Sequence, residues 1–274
     1  MTTLQIAADR WTFAGTDLST YATMVRSLDD VEDFGPLRGE DLAVPNLQGR
    51  RWKPKLPDAR RVGLGLLITD MDAAGGLTEA NVQAQAQKNL DSLRTVFAKP
   101  GTWPLVHVLP DGSSRTAQAE VVQFTATEQR GRRQTFLAAV DFMLADPYFY
   151  GADLVDAARA IPASPTAFNL ANPGSARTSG VVLDFLGPIS NPRFTNTTNG
   201  IYLECLVTVA ATKHLIVDCK AFTAENDGVN AIGSIRHSGD FRWMVLEPGT
   251  NAISVTATSP GGSLTSTVDI PYHA

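Results

Sequence analysis

The stretch "AVDFMLADPYFYG" (Ala139–Gly151) divides this sequence into two unlike parts. Val140, Phe142 and Leu144 recur at every second residue, the period of a half-buried strand. Asp146-Pro147 then stops the ladder, because proline has no N–H to donate. Tyr148, Phe149 and Tyr150 follow, with a glycine behind them. A stacking platform for a sugar or a base needs a cleft or basic neighbours, and the flanking sequence supplies neither clearly. The three aromatics read instead as a wedge at an interdomain seam, each at least half buried.

Upstream, the sequence mixes strands with one helix. "LQIAA", "RWTFAG", "YATMVRSL" and "RRVGLGLLITDM" have strand composition. Over 78–98, Val82, Ala86, Leu90, Leu93 and Phe97 step by four, four, three and four, which places them on one helical stripe. Thr78 is its expected N-cap, and Pro100-Gly101 its stop. A helix with one apolar face should lie across a sheet. Next comes a three-stranded antiparallel meander. "PDGS" (110–113) makes its first turn, with proline presetting φ and glycine taking positive φ. Phe136, Ala138, Val140, Phe142 and Leu144 should share one face of the last strand. Residues 1–152 therefore read as an α+β domain.

Downstream no helical pattern survives. Residues 153–165 are small, polar and proline-rich and read as a linker. Over 166–274, "VVLDFLG", "IYLECLVTVA", "KHLIVDCKAF", "IRHS", "RWMVLEPG", "NAISVTAT" and "LTSTVDIPYH" are short strands between Asn, Gly and Pro turns, the pattern of an all-β sandwich or jelly roll.

Composition narrows the function. A net charge of −5 lacks the basic footprint a general nucleic-acid binder needs. It also disfavours docking on an anionic membrane. The N-terminus has neither a basic n-region nor an apolar h-region, so a secretory leader is not expected. Cys205 and Cys219 are expected as buried free thiols. No histidine has a second ligand at metal spacing. "GLGLL" (63–67) lies inside a strand rather than between strand and helix, so it is no dinucleotide loop. Asp70 with Asp72, and Asp29 with Glu32, are the nearest things to a carboxylate pair, and both suit solvated strand ends. The expectation is a protein without catalytic residues, cofactor or metal.

Two charge clusters remain. Asp29, Asp30, Glu32 and Asp33 form an acidic one; Arg50, Arg51, Lys53, Lys55, Arg60 and Arg61 form a basic one. Complementary patches on neighbouring subunits would suit a head-to-tail ring. Solvated loops would have the same composition.

The order of several features resembles one family. "LADPYFYG" (Asp146, Pro147, Tyr148), then "GPISNPRFTNTTNGIYLE", "LIVDC" and "WMVLEPGTNAISV", are similar to the distal tail proteins of siphophages, a family of phage minor tail proteins. In the sandwich the matching positions are Gly187, Asn191, Pro192, Gly200, Asp218, Trp243, Pro248, Gly249 and Asn251. The resemblance implies an N-terminal domain akin to tail-tube proteins and a galectin-like or carbohydrate-module-like sandwich outside it. It implies a hexameric ring at the virion tail tip, assembled in the host bacterial cytoplasm, with DNA passing through its channel. The residues themselves leave six and three copies open. The implied partners are the tail tube protein, the tail-associated hub, the end of the tape measure protein, and receptor-binding or other minor tail proteins. The excursion around "PLRGEDLAVPNLQGRRW" sits where the family places a subunit-contact loop. No catalytic residues carry over. An alternative is a carbohydrate-binding adhesin using Tyr202, Phe222 and Trp243, but the sandwich lacks the large insertion of family members with extra carbohydrate modules.

Overall fold

In a computed structural model, the residues described are 10–21, 24–27, 37–38, 42–43, 50–51, 56–69, 82–129, 135–238 and 243–273. Two compact units divide between Phe149 and Tyr150, with His273–Ala274 counted in the first.

The first unit begins with β1 (Arg10–Phe13), β2 (Thr16–Asp17) and β3 (Met24–Ser27). The excursion then forms two short antiparallel ladders. In one, β4 (Leu37–Arg38) pairs with β7 (Leu56–Pro57); in the other, β5 (Leu42–Ala43) pairs with β6 (Arg50–Arg51). β8 (Arg60–Ile68), α1 (Val82–Phe97), β9 (Trp103–Val108), β10 (Ser114–Gln129) and β11 (Thr135–Leu144) complete the scaffold. The sheet runs β2-β1-β9-β10-β11-β8-β3. The 110–113 turn closes as its residues require: Gly112 has φ +85°, and Asp111 Oδ1 accepts from Ser113 N at 2.8 Å.

Period-two rows make the core of this unit. Val62, Leu64, Leu66 and Ile68 of β8 are buried beside Phe136, Ala138, Val140, Phe142 and Leu144 of β11. Ala86, Leu90, Leu93 and Phe97 of α1 join the same cluster. Phe13, Phe97 and Phe142 meet with ring centroids 5.0–6.1 Å apart. Such tilted contacts suit the ring quadrupoles and stabilise beyond area burial alone. His107 is an ordinary strand residue, stacked on its cross-strand partner Trp11 at 4.1 Å. The N-cap Thr78 and the side chains of Val82 and Gln83 lie outside the described residues. The amide of Asn89, buried on the helix, donates to Thr69 O at 3.1 Å and so ties α1 to the end of β8.

A two-residue strand, β12 (Phe149–Tyr150), spans the division in the chain. The second unit is a two-sheet sandwich. Its strands are β13 (Leu154–Ala160), β14 (Thr166–Asn172), β15 (Val181–Leu186), β16 (Ile189–Ser190), β17 (Arg193–Asn196), β18 (Ile201–Cys205), β19 (Thr208–Val209), β20 (His214–Asp218), β21 (Thr223–Asn226), β22 (Val229–Asn230), β23 (Ile235–His237), β24 (Gly249–Thr256) and β25 (Ser263–Val268). One sheet runs β13-β25-β15-β20-β21-β22; the other runs β14-β24-β17-β18-β23. Alternate residues of both, among them Leu183, Phe185, Phe194, Leu203, Val217 and Val255, share one core.

Two expectations are corrected here. Residues 153–165 are not a linker: β13 occupies most of the span and pairs with β25. It is an edge strand with mostly exposed side chains, so its composition is that of a linker although its backbone is in a ladder. Residues 243–248 of "RWMVLEPG" are not a strand. Met244, Val245 and Leu246 are buried, but the segment is irregular and makes a single bridge, Leu246 to Thr178.

Candidate functional site

Arg60 and Arg61 of the basic cluster face opposite sides of β8. Arg60, only 4% exposed, starts the inward row that continues through Val62, Leu64, Leu66 and Ile68. Strand alternation, visible in the sequence, buries it, so Arg60 is not part of the exposed patch expected of it. Arg61 points the other way, its side chain 54% exposed and 4.0 Å from Asp141 Oδ2. Arg50 and Arg51 are described only by their backbone pairing with Ala43 and Leu42. Asp29, Asp30, Glu32, Asp33 and Lys53 lie outside the described residues, as do Lys55, Asp70 and Asp72.

The aromatic triplet divides. Phe149 is fully buried in the core of the first unit, edge-on to Trp11 at 6.2 Å. Tyr148 is half-buried and meets the His273 ring edge-on at 5.3 Å. Tyr150, also half-buried, belongs to the second unit, where the Lys220 ammonium sits 4.5 Å from its ring centroid. Lys220 is held there by Asp269 Oδ2 at 2.8 Å. Burial, reinforced by the charge of Arg60, lowers the pKa of His273.

Within the sandwich the densest chemistry is a set of asparagine side chains serving the irregular segment 243–248. Asn196 Nδ2 donates to Val245 O at 2.8 Å and to Asn251 Oδ1 at 3.0 Å. Asn199 Nδ2 donates to the same Val245 carbonyl at 2.9 Å. Asn251 closes on Glu247 twice: its Oδ1 accepts from Glu247 N at 2.9 Å, and its Nδ2 donates to Glu247 O at 2.8 Å. Asn172 Nδ2 donates to Ala176 O at 2.9 Å and reaches Leu246 O at 3.5 Å. Asn172, Asn196 and Asn251 are fully buried. A buried amide is tolerated only when its donors and acceptors are used, and a buried backbone outside a ladder needs partners from side chains. The asparagines and the segment satisfy each other. This is a folding device.

The positions that carry the sequence resemblance fill related roles. Asn191, at φ 48°, donates its N–H to Val207 O and its amide to Thr258 Oγ1. Pro192 O accepts from Cys205 N. Gly200 and Gly249 take φ +76° and +90°, where a side chain would be strained. Asp218 Oδ1 accepts from Lys220 N and Ala221 N. Pro248 lies inside the asparagine-held segment. Trp243 is buried and meets Phe222 edge-on at 5.5 Å. Phe222 is exposed, and the Arg193 guanidinium lies over the Tyr202 ring, 3.7 Å from its centroid.

Both cysteines are free and buried, and burial pushes the Cys205 thiol up to about 12. Burial raises the Cys219 thiol as well and so disfavours the thiolate at both. Among the described residues no group of three or more His, Cys, Asp or Glu side chains could hold a metal ion, and no helix is long and apolar enough to cross a membrane.

No curated protein matches the sequence. A family model described as the siphovirus-type tail component, C-terminal domain, matches residues 173–272. Among solved structures, the crystal structure of phage SPP1 Dit, described as a paradigm of the hub adsorption apparatus in phages infecting Gram-positive hosts, is similar over 96% of this chain and 99% of its own. Identity to it is 15%, and the TM-score is 0.64. A chain of the phage P2 baseplate in its activated conformation with Ca aligns over 96% of this chain and 98% of its own at 8% identity. Its TM-score is 0.41. Residues 173–272 thus match the siphovirus-type tail component model, and the chain as a whole is similar in fold to SPP1 Dit.

Proposed function

We propose that this protein is a ring-forming component of a phage tail tip that joins the tail tube to the tail hub and gives receptor-binding proteins a platform. The fold shared with SPP1 Dit along nearly the whole chain carries this reading. The architecture is consistent with it: the family-pattern positions and the asparagine set serve the fold, and the chemistry left over is surface. In this reading six copies form the ring through the first unit. The excursion with Asp29–Asp33 and with Arg50, Arg51, Lys53 and Arg61 lies at subunit contacts, and Tyr148, Phe149 and Tyr150 sit at the interdomain seam. The sandwich is galectin-like and faces outward, and the tail tube, hub and tape measure proteins are the partners. The carbohydrate-adhesin alternative has less support, since Trp243 is buried and the Arg193 guanidinium occupies one face of the Tyr202 ring.

Light scattering on the purified chain, with electron microscopy of virions labelled by an antibody to it, tests the proposal. The expected result is a closed ring of six and label at the tail tip. A strict monomer at high concentration, with no label on tails, overturns it.

A further inference from the structure

Two long edge strands of the sandwich differ in character. β13 carries a bulge between Asp156 and Arg159, and these two side chains pair at 2.6 Å. A bulge and charge both blunt an edge against further pairing. β14 has neither. It pairs with β24 in unbroken register from Thr166↔Val255 to Asn172↔Gly249, it contains no charged residue, and its exposed side chains, Ala167, Asn169 and Ala171, are small.

The next strand shows which backbone groups this edge leaves open. Ala252 O accepts from Thr197 N, and Ala252 N donates to Thr198 Oγ1, both on the β17 side. Successive residues of an antiparallel strand turn their N–H and C=O to opposite sides. Asn251, Ile253 and Val255 therefore face β14, where their partners are Leu170, Phe168 and Thr166. Ala167, Asn169 and Ala171 aim their N–H and C=O away from the sheet, and no described residue pairs with them.

We propose that β14 pairs antiparallel with β14 of a second copy about a two-fold axis through Asn169. The edge is self-complementary. With Asn169 opposite Asn169, Ala167 falls opposite Ala171, and the outward groups of one strand meet those of the other at each of these pairs. Alanine facing alanine raises no steric obstacle, and the two Asn169 amides can bond across the axis. Such a contact is isologous and closes after two copies. It cannot repeat along a tail that runs in one direction, so it belongs to the chain before assembly, where it covers an edge otherwise open to indiscriminate strand pairing. It uses only the sandwich and stands apart from the ring proposed above.

The test is the mass of the purified full chain across a concentration series, read with hydrogen exchange over residues 165–172. The expected result is a doubling of mass with concentration, accompanied by slower exchange at Ala167, Asn169 and Ala171. Asn169→Pro removes only an outward-pointing N–H and leaves the ladder to β24, the one setting in which a strand tolerates proline. Asn169→Lys puts like charges opposite each other at the axis, which is unfavourable. Both variants should keep the wild-type circular dichroism and lose the doubling; if rings form, both keep the ring. A ring lost while the doubling persists strikes the ring reading alone. Mass and exchange independent of concentration, or a doubling that survives both variants, overturns the strand pairing.

Discussion

The two units solve the same packing problem by different means. The first unit is held by apolar rows: β8 and β11 at period two, and α1 at steps of three and four, meeting around Phe13, Phe97 and Phe142. The second has such rows too, but the irregular segment 243–248 completes its core, and that segment stands on asparagine amides up to 74 residues away in sequence. Apolar contact is non-directional, so a row needs only the right side of the strand. An amide must meet a donor and an acceptor at set places, and it fails when one is missing. The first unit should therefore lose stability in proportion to volume removed, and the second in proportion to polar atoms left unpaired.

The sharpest way to break this comparison is to cut each unit at its centre. Phe142→Ala should destabilise the first unit by about 4 kcal/mol, the usual cost of an aromatic deletion in a core. Hydrogen exchange should show the loss in residues 10–149 and leave the sandwich protected. Asn251→Ala strands Glu247 N, Glu247 O and one proton of Asn196, and should cost about 3 kcal/mol. Exchange should speed up around 243–248 first. If Asn251→Ala costs no more than an exposed substitution, the segment has other supports and the contrast fails.

Smaller effects sharpen it. Ser266 Oγ is buried with no partner among the described residues, in the apolar row of Leu264 and Val268. Ser266→Ala should raise the urea midpoint, by about 1 kcal/mol in stability. His273 supplies a pH dependence. Its folded pKa is lowered, so the fold prefers the neutral imidazole. Its contribution is complete above the ordinary histidine value and is lost as pH falls through the lowered folded value. His273→Gln should flatten that part of the stability profile; an unchanged slope would remove His273 from the account. Arg61→Ala, exposed and 4.0 Å from Asp141, should change monomer stability by less than about 0.5 kcal/mol. A large fall in assembled mass with that small change would mark Arg61 as a subunit contact.

The rows, the 110–113 turn, the helix stripe and the change of class near residue 150 were legible because each depends on neighbours within a few positions. Even the burial of Arg60 follows from counting twos back from Val62. β13 was hidden because an edge strand need not bury its side chains. The segment 243–248 was hidden for the opposite reason: its side chains are apolar enough for a strand, while its backbone partners lie in other strands. The asparagines carried one readable signal, since Asn251 stands in the family-like pattern. Counting twos from Leu170 and Phe194 puts Asn172 and Asn196 on the inward side, but nothing local names the backbone groups their amides meet.

The aromatic triplet shows the same limit at the scale of one stretch. Sequence alone determined that the ladder ends at Asp146-Pro147 and that large apolar rings follow, because proline and ring size are properties of single residues. Tertiary structure decided that Phe149 joins the core of Trp11 while Tyr150 lies under Lys220 of the sandwich. Trp11 and Lys220 lie 138 and 70 residues from those partners in the chain, and such contacts exist only once the sheets have formed.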